Sequence, residues 1–374
     1  MPVFPLTIEI PDAALEDLQR RLRTMRWPCS IDDDGWDDGA SVSFMQELAD
    51  YWLNQFDWRA QEQRLNELPH FKTMIEDQKI HFVHQRGVGP DPMPIVITHG
   101  WPGSFAEMER LIPLLTDPGA NGSDPADAFH VVVPSLPGYG FSPAPRKPGV
   151  SSREIAMLWR SLMAELGYER FAAQGGDIGA GVSTWLARLF PDVVHGIHLN
   201  FIPGSYRPSL EAEAPVVTDD ERAFLNYVAQ WSAQEGAYAA LQATKPQTLA
   251  FSLADSPIGL AAWMTEKFRS WSDCNGNLTS AISFDDLLTD ICLYWFGDGL
   301  TGSLRLYKEN RLRPLTFNAG ERIKPPLGVA VFPREIAMPP RSCELPPSER
   351  SIDYESLDQG RDDECLRKST SRKR

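Results

Sequence analysis

The 374-residue chain has seven histidines, and none follows His198. Its five cysteines, Cys29, Cys274, Cys292, Cys343 and Cys365, are scattered, and no two stand in a Cys-x-x-Cys spacing. An odd, dispersed set of thiols predicts neither a disulfide framework nor a zinc site. The expectation is a cytoplasmic protein with reduced cysteines. No stretch of 18 apolar residues occurs, and the start, MPVFPLTIEIPDAALEDL, has no basic segment leading into an apolar one. Neither a membrane span nor a secretory leader is expected. Positive charge is in deficit too, since the net charge is −15. Binding a phosphate backbone needs a basic face, so nucleic acid is not an expected partner. By contrast, 42% of the residues are hydrophobic and 11 are Trp. That is enough to bury a sizeable core and is unlike a disordered chain.

The hydrophobic pattern changes along the chain. Residues 1–90 read as a mostly helical arm. Asp12 is placed to cap a helix carrying Leu15, Leu18 and Leu22, which Trp27-Pro28 ends. A second helix near 43–56 gathers Phe44, Leu48, Tyr51 and Trp52 on one face. From residue 91, short apolar runs at 94–98, 131–133 and 194–201 alternate with helical patterns. One such helix carries Ile155, Leu158, Trp159 and Leu162 and closes at Gly167. Buried parallel strands alternating with helices imply an α/β sheet covered on both faces. Residues 204–324 break the alternation, being helical and rich in aromatics, and form a candidate lid. Strand character returns at 327–332. The organisation is therefore an arm (1–90), a core in two parts (91–203 and 325–340), a lid (204–324) and a polar tail (341–374) expected to be disordered.

Chemistry concentrates at GGDIG, residues 175–179, between a strand and a helix. Small residues two before and two after a central residue suit a sharp strand-to-helix turn. The usual form is the Gly-x-Ser-x-Gly nucleophile elbow of the α/β-hydrolase fold. Here the central residue is Asp177. Such a turn exposes that side chain and leaves the next backbone N–H, that of Ile178, free to bind an anion at a helix N-terminus. An Asp that only caps the helix is the bland alternative. The segment HGWPG, residues 99–103, follows a strand at the place where this fold puts the other half of its oxyanion hole. Trp101 and Ile178 are thus the expected pair of N–H donors, and His99 is expected to be structural. A carboxylate nucleophile attacking saturated carbon forms an alkyl ester that water must cleave. This suits epoxides and alkyl halides.

The chain resembles the microsomal-type epoxide hydrolases from residue 3 to about 338. The resemblance is carried by Trp27-Pro28, Tyr51-Trp52 and Asp57-Trp58-Arg59 in the arm, then by HGWPGSF at 99–105, PGYGFS at 137–142 and GGDIG. It continues with Asp255-Ser-Pro-Ile-Gly259, Phe284-Asp-Asp-Leu-Leu288 and Tyr307-Lys-Glu-Asn310, and ends at Phe332-Pro-Arg-Glu335. It implies an α/β-hydrolase fold acting without a cofactor or metal on a small hydrophobic epoxide and water, in detoxification or aromatic hydrocarbon catabolism. It also implies Asp177 as nucleophile, Tyr238 and Tyr307 as proton donors to the epoxide oxygen, and Glu335 as the acid that orients a catalytic histidine. An arm of this kind suits a homodimer as well as a monomer. Two departures matter. Ile178 stands where the family commonly has Trp, which also disfavours a haloalkane dehalogenase. The family's histidine lies roughly 25–30 residues beyond the acid, and no histidine is present there. The last strand and helix of the fold are expected to be missing as well. The leading expectation is an epoxide hydrolase with impaired turnover, the alternative a non-catalytic binding homologue.

Overall fold

In the computed structural model of the chain, the described residues are 2–30, 35–202, 217–297, 299–317, 321–332, 335, 336, 340 and 354–356. Nine strands form one sheet: β1 (Phe4–Pro5), β2 (His70–Ile75), β3 (Gln78–Gln85), β4 (Met93–Thr98), β5 (Phe129–Pro134), β6 (Phe171–Gly175), β7 (Val194–Leu199), β8 (Leu327–Val331) and β9 (Tyr354–Ser356). Their order is β1-β2-β3-β5-β4-β6-β7-β8-β9. The first three are antiparallel, β3 runs antiparallel to β5, and the remainder are parallel. Strand β4 pairs β5 on one side and β6 on the other. The chain therefore changes direction across the sheet at β4, and the crevice beyond the strand ends at such a switch is where ligands bind in open α/β sheets. Thr98 and Gly175 are register partners at the ends of β4 and β6, so the two expected halves of the site leave the sheet side by side.

Helices α1 (Asp12–Arg23), α2 (Val42–Asn54) and α3 (Trp58–Leu65) make up the arm, and α4 (Leu111–Thr116), α5 (Ser152–Glu165) and α6 (Asp177–Leu189) accompany the sheet. Helix α5 shows why these elements form where they do. Ser151 and Glu154 make a reciprocal capping box at its start, and Gly167, at φ +88°, follows its end. Ile155, Trp159 and Leu162 are fully buried on its inner face. The Trp159 indole N–H donates to Thr98 Oγ1 at 3.1 Å, tying the helix to the end of β4. Between β7 and β8 lie α7 (Asp219–Glu235), α8 (Ala237–Thr244), α9 (Pro246–Leu253), α10 (Pro257–Trp271), α11 (Phe284–Phe296) and α12 (Leu300–Leu312). The arm grips α11. Tyr51 donates to Asp285 at 3.0 Å, Arg64 pairs with Asp286 at 3.0 Å, and Phe44 and Tyr51 meet Phe284 edge to face.

Three expectations need correction. Asp12 is the first residue of α1 rather than its cap, and it pairs with Arg59 while Pro11 occupies the cap position. Residues 1–90 are not mostly helical throughout, because β2 and β3 form an antiparallel hairpin that joins the sheet. Aromatic and β-branched residues alternate along it, and Glu76, at φ +54°, makes the turn. The last strand is not wholly missing: Tyr354–Ser356 pairs in parallel with β8. The expectation of a disordered tail falls on residues 341–353 and 357–374, which lie outside the described residues.

Candidate active site

Asp177 is the first residue of α6 and adopts φ +47°, a left-handed conformation uncommon outside glycine. The turn leaves no room for side chains around it. A Cβ on Gly179 would stand 1.9 Å from the Thr98 carbonyl oxygen, and one on Gly175 would stand 2.2 Å from that of Gly179. A Cβ on Gly176 would meet Asn200 Oδ1 at 2.4 Å, and one on Gly100 would meet Asp177 itself at 2.4 Å. Gly175, Gly176, Gly179 and Gly100 are therefore demanded by close approach of β4, β6 and the two loops. Strain at Asp177 is held in place by this packing, the pattern found at sites of reaction.

The carboxylate of Asp177 accepts the Trp101 N–H at Oδ1, at 2.8 Å, and is also hydrogen-bonded by the Ile178 N–H. Burial raises its pKa above the ordinary carboxylate range, and these two donors draw it back. Asp177 keeps partial exposure, whereas Trp101 and Ile178 are buried. The two N–H groups named from the sequence thus both bond the Asp177 carboxylate. His99 is not a base here. Its Nε2 accepts the Leu136 N–H at 3.2 Å, and its Nδ1 faces the Gly100 carbonyl at 3.0 Å. Both nitrogens serve the loop, and burial lowers the ring's pKa to about 4.

Above this oxygen the two tyrosines meet. Tyr238, on α8, stacks on Trp101 with ring centroids 5.3 Å apart and planes 12° apart. Tyr307, on α12, meets Trp101 edge-on at 5.9 Å and Tyr238 at 5.8 Å. Burial, then the charge of Asp177, raises the Tyr238 phenol. Burial, then Tyr238 and Asp177, raises Tyr307 further. Both are therefore fully protonated at neutral pH. The Tyr307 hydroxyl is buried and faces the Tyr238 phenol, which is close enough to couple to it. Two phenols paired only with each other leave capacity for a further acceptor.

Glu335 follows β8, its N–H bonded to the Phe332 carbonyl. Its Oε1 accepts the Ile336 N–H at 2.8 Å. Burial first, and the charge of Asp177 last, push its pKa up to about 7. Glu335 therefore shares the electrostatic neighbourhood of Asp177. No histidine of this chain follows it. Sequence reasoning missed three groups behind the site. Ser104 donates to Asp290 at 2.5 Å, and Tyr294 donates to the Gly103 carbonyl at 2.8 Å. No local signal singled them out, because α11 also carries Asp285, Asp286 and Thr289 and the loop partners are far away in the sequence.

Known proteins resemble the chain over most of its length. Residues 3–108 match the family described as the epoxide hydrolase N terminus, and residues 93–273 match the alpha/beta hydrolase fold. The chain is 36% identical to epoxide hydrolase 1 of Oryctolagus cuniculus, over 96% of this chain and 84% of that one. The solved epoxide hydrolase of Aspergillus niger superposes with a TM-score of 0.78 at 30% identity, covering 91% of this chain and 86% of that one. The juvenile hormone epoxide hydrolase of Bombyx mori superposes with a TM-score of 0.75 at 28% identity, covering 91% and 83%. The chain belongs to the epoxide hydrolase family, and its fold is that of the α/β-hydrolases. No described helix is long and apolar enough to cross a membrane.

Proposed function

We propose that this member of the epoxide hydrolase family opens a small hydrophobic epoxide with Asp177 and forms the ester faster than it cleaves it. The observation that carries the reading is the strained Asp177, one oxygen held by Trp101 N–H at 2.8 Å, with buried Tyr238 and half-buried Tyr307 both against Trp101. The held oxygen leaves the other free to attack. Attack forms a carbon–oxygen bond to Asp177 and breaks the ring carbon–oxygen bond. The ring oxygen takes a proton from Tyr238 or Tyr307, which suits a phenol facing an alkoxide. The aromatic walls of Trp101, Tyr238, Trp271 and Tyr307 favour an apolar epoxide.

Cleavage of the ester needs a base to take a proton from water. Water then adds to the carbonyl carbon and charge collects on Oδ1 before the Trp101 N–H. The alkyl carbon–oxygen group is expelled from that carbon, its alkoxide taking the proton held by the base to leave as the diol, while solvent water reprotonates the phenolate. Glu335 is the acid of this relay without the histidine it would orient. General-base help is worth about 10²–10⁴ in rate, so cleavage is the slow step. Intact-mass analysis after incubation with styrene oxide tests the reading. The expected result is a stable adduct of one epoxide mass, mapped to Asp177, with little diol. Sustained diol formation with no adduct would refute it. The missing histidine also favours a second reading, a binding homologue, which predicts neither adduct nor diol.

A further inference from the structure

Helix α11 passes behind the loop that carries the Trp101 N–H. Its sequence, FDDLLTDICLYWF, is apolar where it is buried except at Thr289, Asp290 and Tyr294. Asp290 and Tyr294 are four residues apart and so share a face. Both are buried, and both reach the loop. Tyr294 donates to the Gly103 carbonyl at 2.8 Å, and the Asp290 carboxylate accepts from Ser104 Oγ at 2.5 Å. The other end of the loop is tied by His99, through Leu136 and Gly100. The Trp101 N–H therefore sits in a span fixed at both ends. The Tyr294 ring is packed in the core, meeting Tyr139 edge-on at 5.8 Å. Packing fixes the ring, and the two hydrogen bonds are the directional link from α11 to the loop.

The geometry points to Asp290 and Tyr294 as positioning residues that keep the Trp101 N–H on Asp177 Oδ1 while the ester is cleaved. This rests on Asp177 being the nucleophile. The two steps ask different things of that donor. In alkylation, Asp177 gives up its charge as the new bond forms, and Oδ1 becomes a neutral carbonyl oxygen. In cleavage, water loses a proton to a base and adds to the carbonyl carbon, so charge returns to Oδ1. A donor fixed at Oδ1 therefore accelerates cleavage and does little for alkylation.

The test uses the full chain and the variants Tyr294→Phe, Asp290→Ala and Asp290→Asn, with styrene oxide in imidazole buffer. Adduct mass is followed as it forms and, after removal of the epoxide, as it decays. Tyr294→Phe and Asp290→Ala are expected to slow decay about tenfold or more, a fraction of what deleting an oxyanion donor costs, with alkylation within about threefold. Asp290→Asn keeps an acceptor for Ser104 and restores decay. Equal slowing of both steps, or unchanged decay in Tyr294→Phe, overturns the proposal, and the conservative Tyr294→Phe keeps it testable if Asp290→Ala fails to fold. If the wild type forms no adduct, the nucleophile reading fails by itself. If no adduct forms, or the adduct does not decay, amide hydrogen exchange over residues 99–106 decides the positioning claim. Faster exchange in Tyr294→Phe sustains it, and unchanged protection overturns it.

Discussion

The two sides of the site are built differently. The nucleophile side is made by the sheet itself. Asp177 and Trp101 follow neighbouring strand ends, the glycines at the turn admit no Cβ, and α11 bonds the loop from behind. The acid side is one carboxyl after β8, raised to about 7 by burial. Among the described residues, the charge that adds to this shift, Asp177, has the same sign. In the proposed mechanism the first half-reaction needs only groups that the topology already juxtaposes. The second, as proposed, needs a base beside Glu335, and none of the seven histidines lies beyond His198.

The largest expected effect breaks the nucleophile side. Asp177→Ala abolishes the adduct altogether, checked by intact mass with circular dichroism to confirm folding. In the wild type only the ionised carboxylate attacks. Burial raises the pKa of Asp177, so alkylation falls with decreasing pH at a value above the ordinary aspartate range. A pH profile centred at the ordinary value would show that Asp177 is less buried than described. The next effect concerns the tyrosines. Tyr238→Phe with Tyr307→Phe lowers the alkylation rate by about 10²–10⁴, the usual worth of a general acid. Each single change costs less, because either phenol can donate. A smaller effect sharpens the acid side. Added imidazole, standing in for the absent histidine, speeds adduct decay about tenfold and leaves adduct formation unchanged. No response would mean that the space beside Glu335 is closed to a base.

Much of the nucleophile side was legible in the sequence because its constraints are local. A glycine two residues from Asp177 is forced by a turn within five residues, and a strand before HGWPG is forced by an apolar run. Strand limits came within a few residues: 94–98 was read and Met93–Thr98 is observed. The α/β sheet followed from the same alternation, and its hydrolase form from GGDIG, HGWPG and the family resemblance. The tyrosines were legible only through resemblance, since Tyr238 and Tyr307 are 69 positions apart in the sequence and only tertiary folding stacks one on Trp101. Asp290 and Tyr294 were not legible. Their partners, Ser104 and Gly103, lie 186 and 191 residues away, and local pattern carries no such information. The hairpin of β2 and β3 was overridden by the helical character of the arm before it, although its alternation was present.

The smallest effect bears on stability and separates the two sides most cleanly. Glu335 has an unfolded-state value near 4.5 and is raised to about 7 in the fold. A carboxyl raised in this way binds its proton more tightly when folded. Below about pH 4.5 it is protonated in both states and costs nothing. As pH rises from there toward 7, the unfolded chain releases the proton first, and stability falls. Above 7 the loss is complete. Glutamine cannot ionise, so Glu335→Gln removes the loss. The variant is therefore expected to match the wild type at pH 4 and to melt on the order of 2 °C or more higher at pH 8. An imidazolium bound beside the carboxylate would reverse the sign, because it stabilises the ionised form that Gln lacks. Melting curves with and without imidazole at pH 6.5 check this. If Glu335→Gln melts lower at pH 8 without imidazole, Glu335 already has a cationic partner, and the contrast between the two sides of the site is wrong.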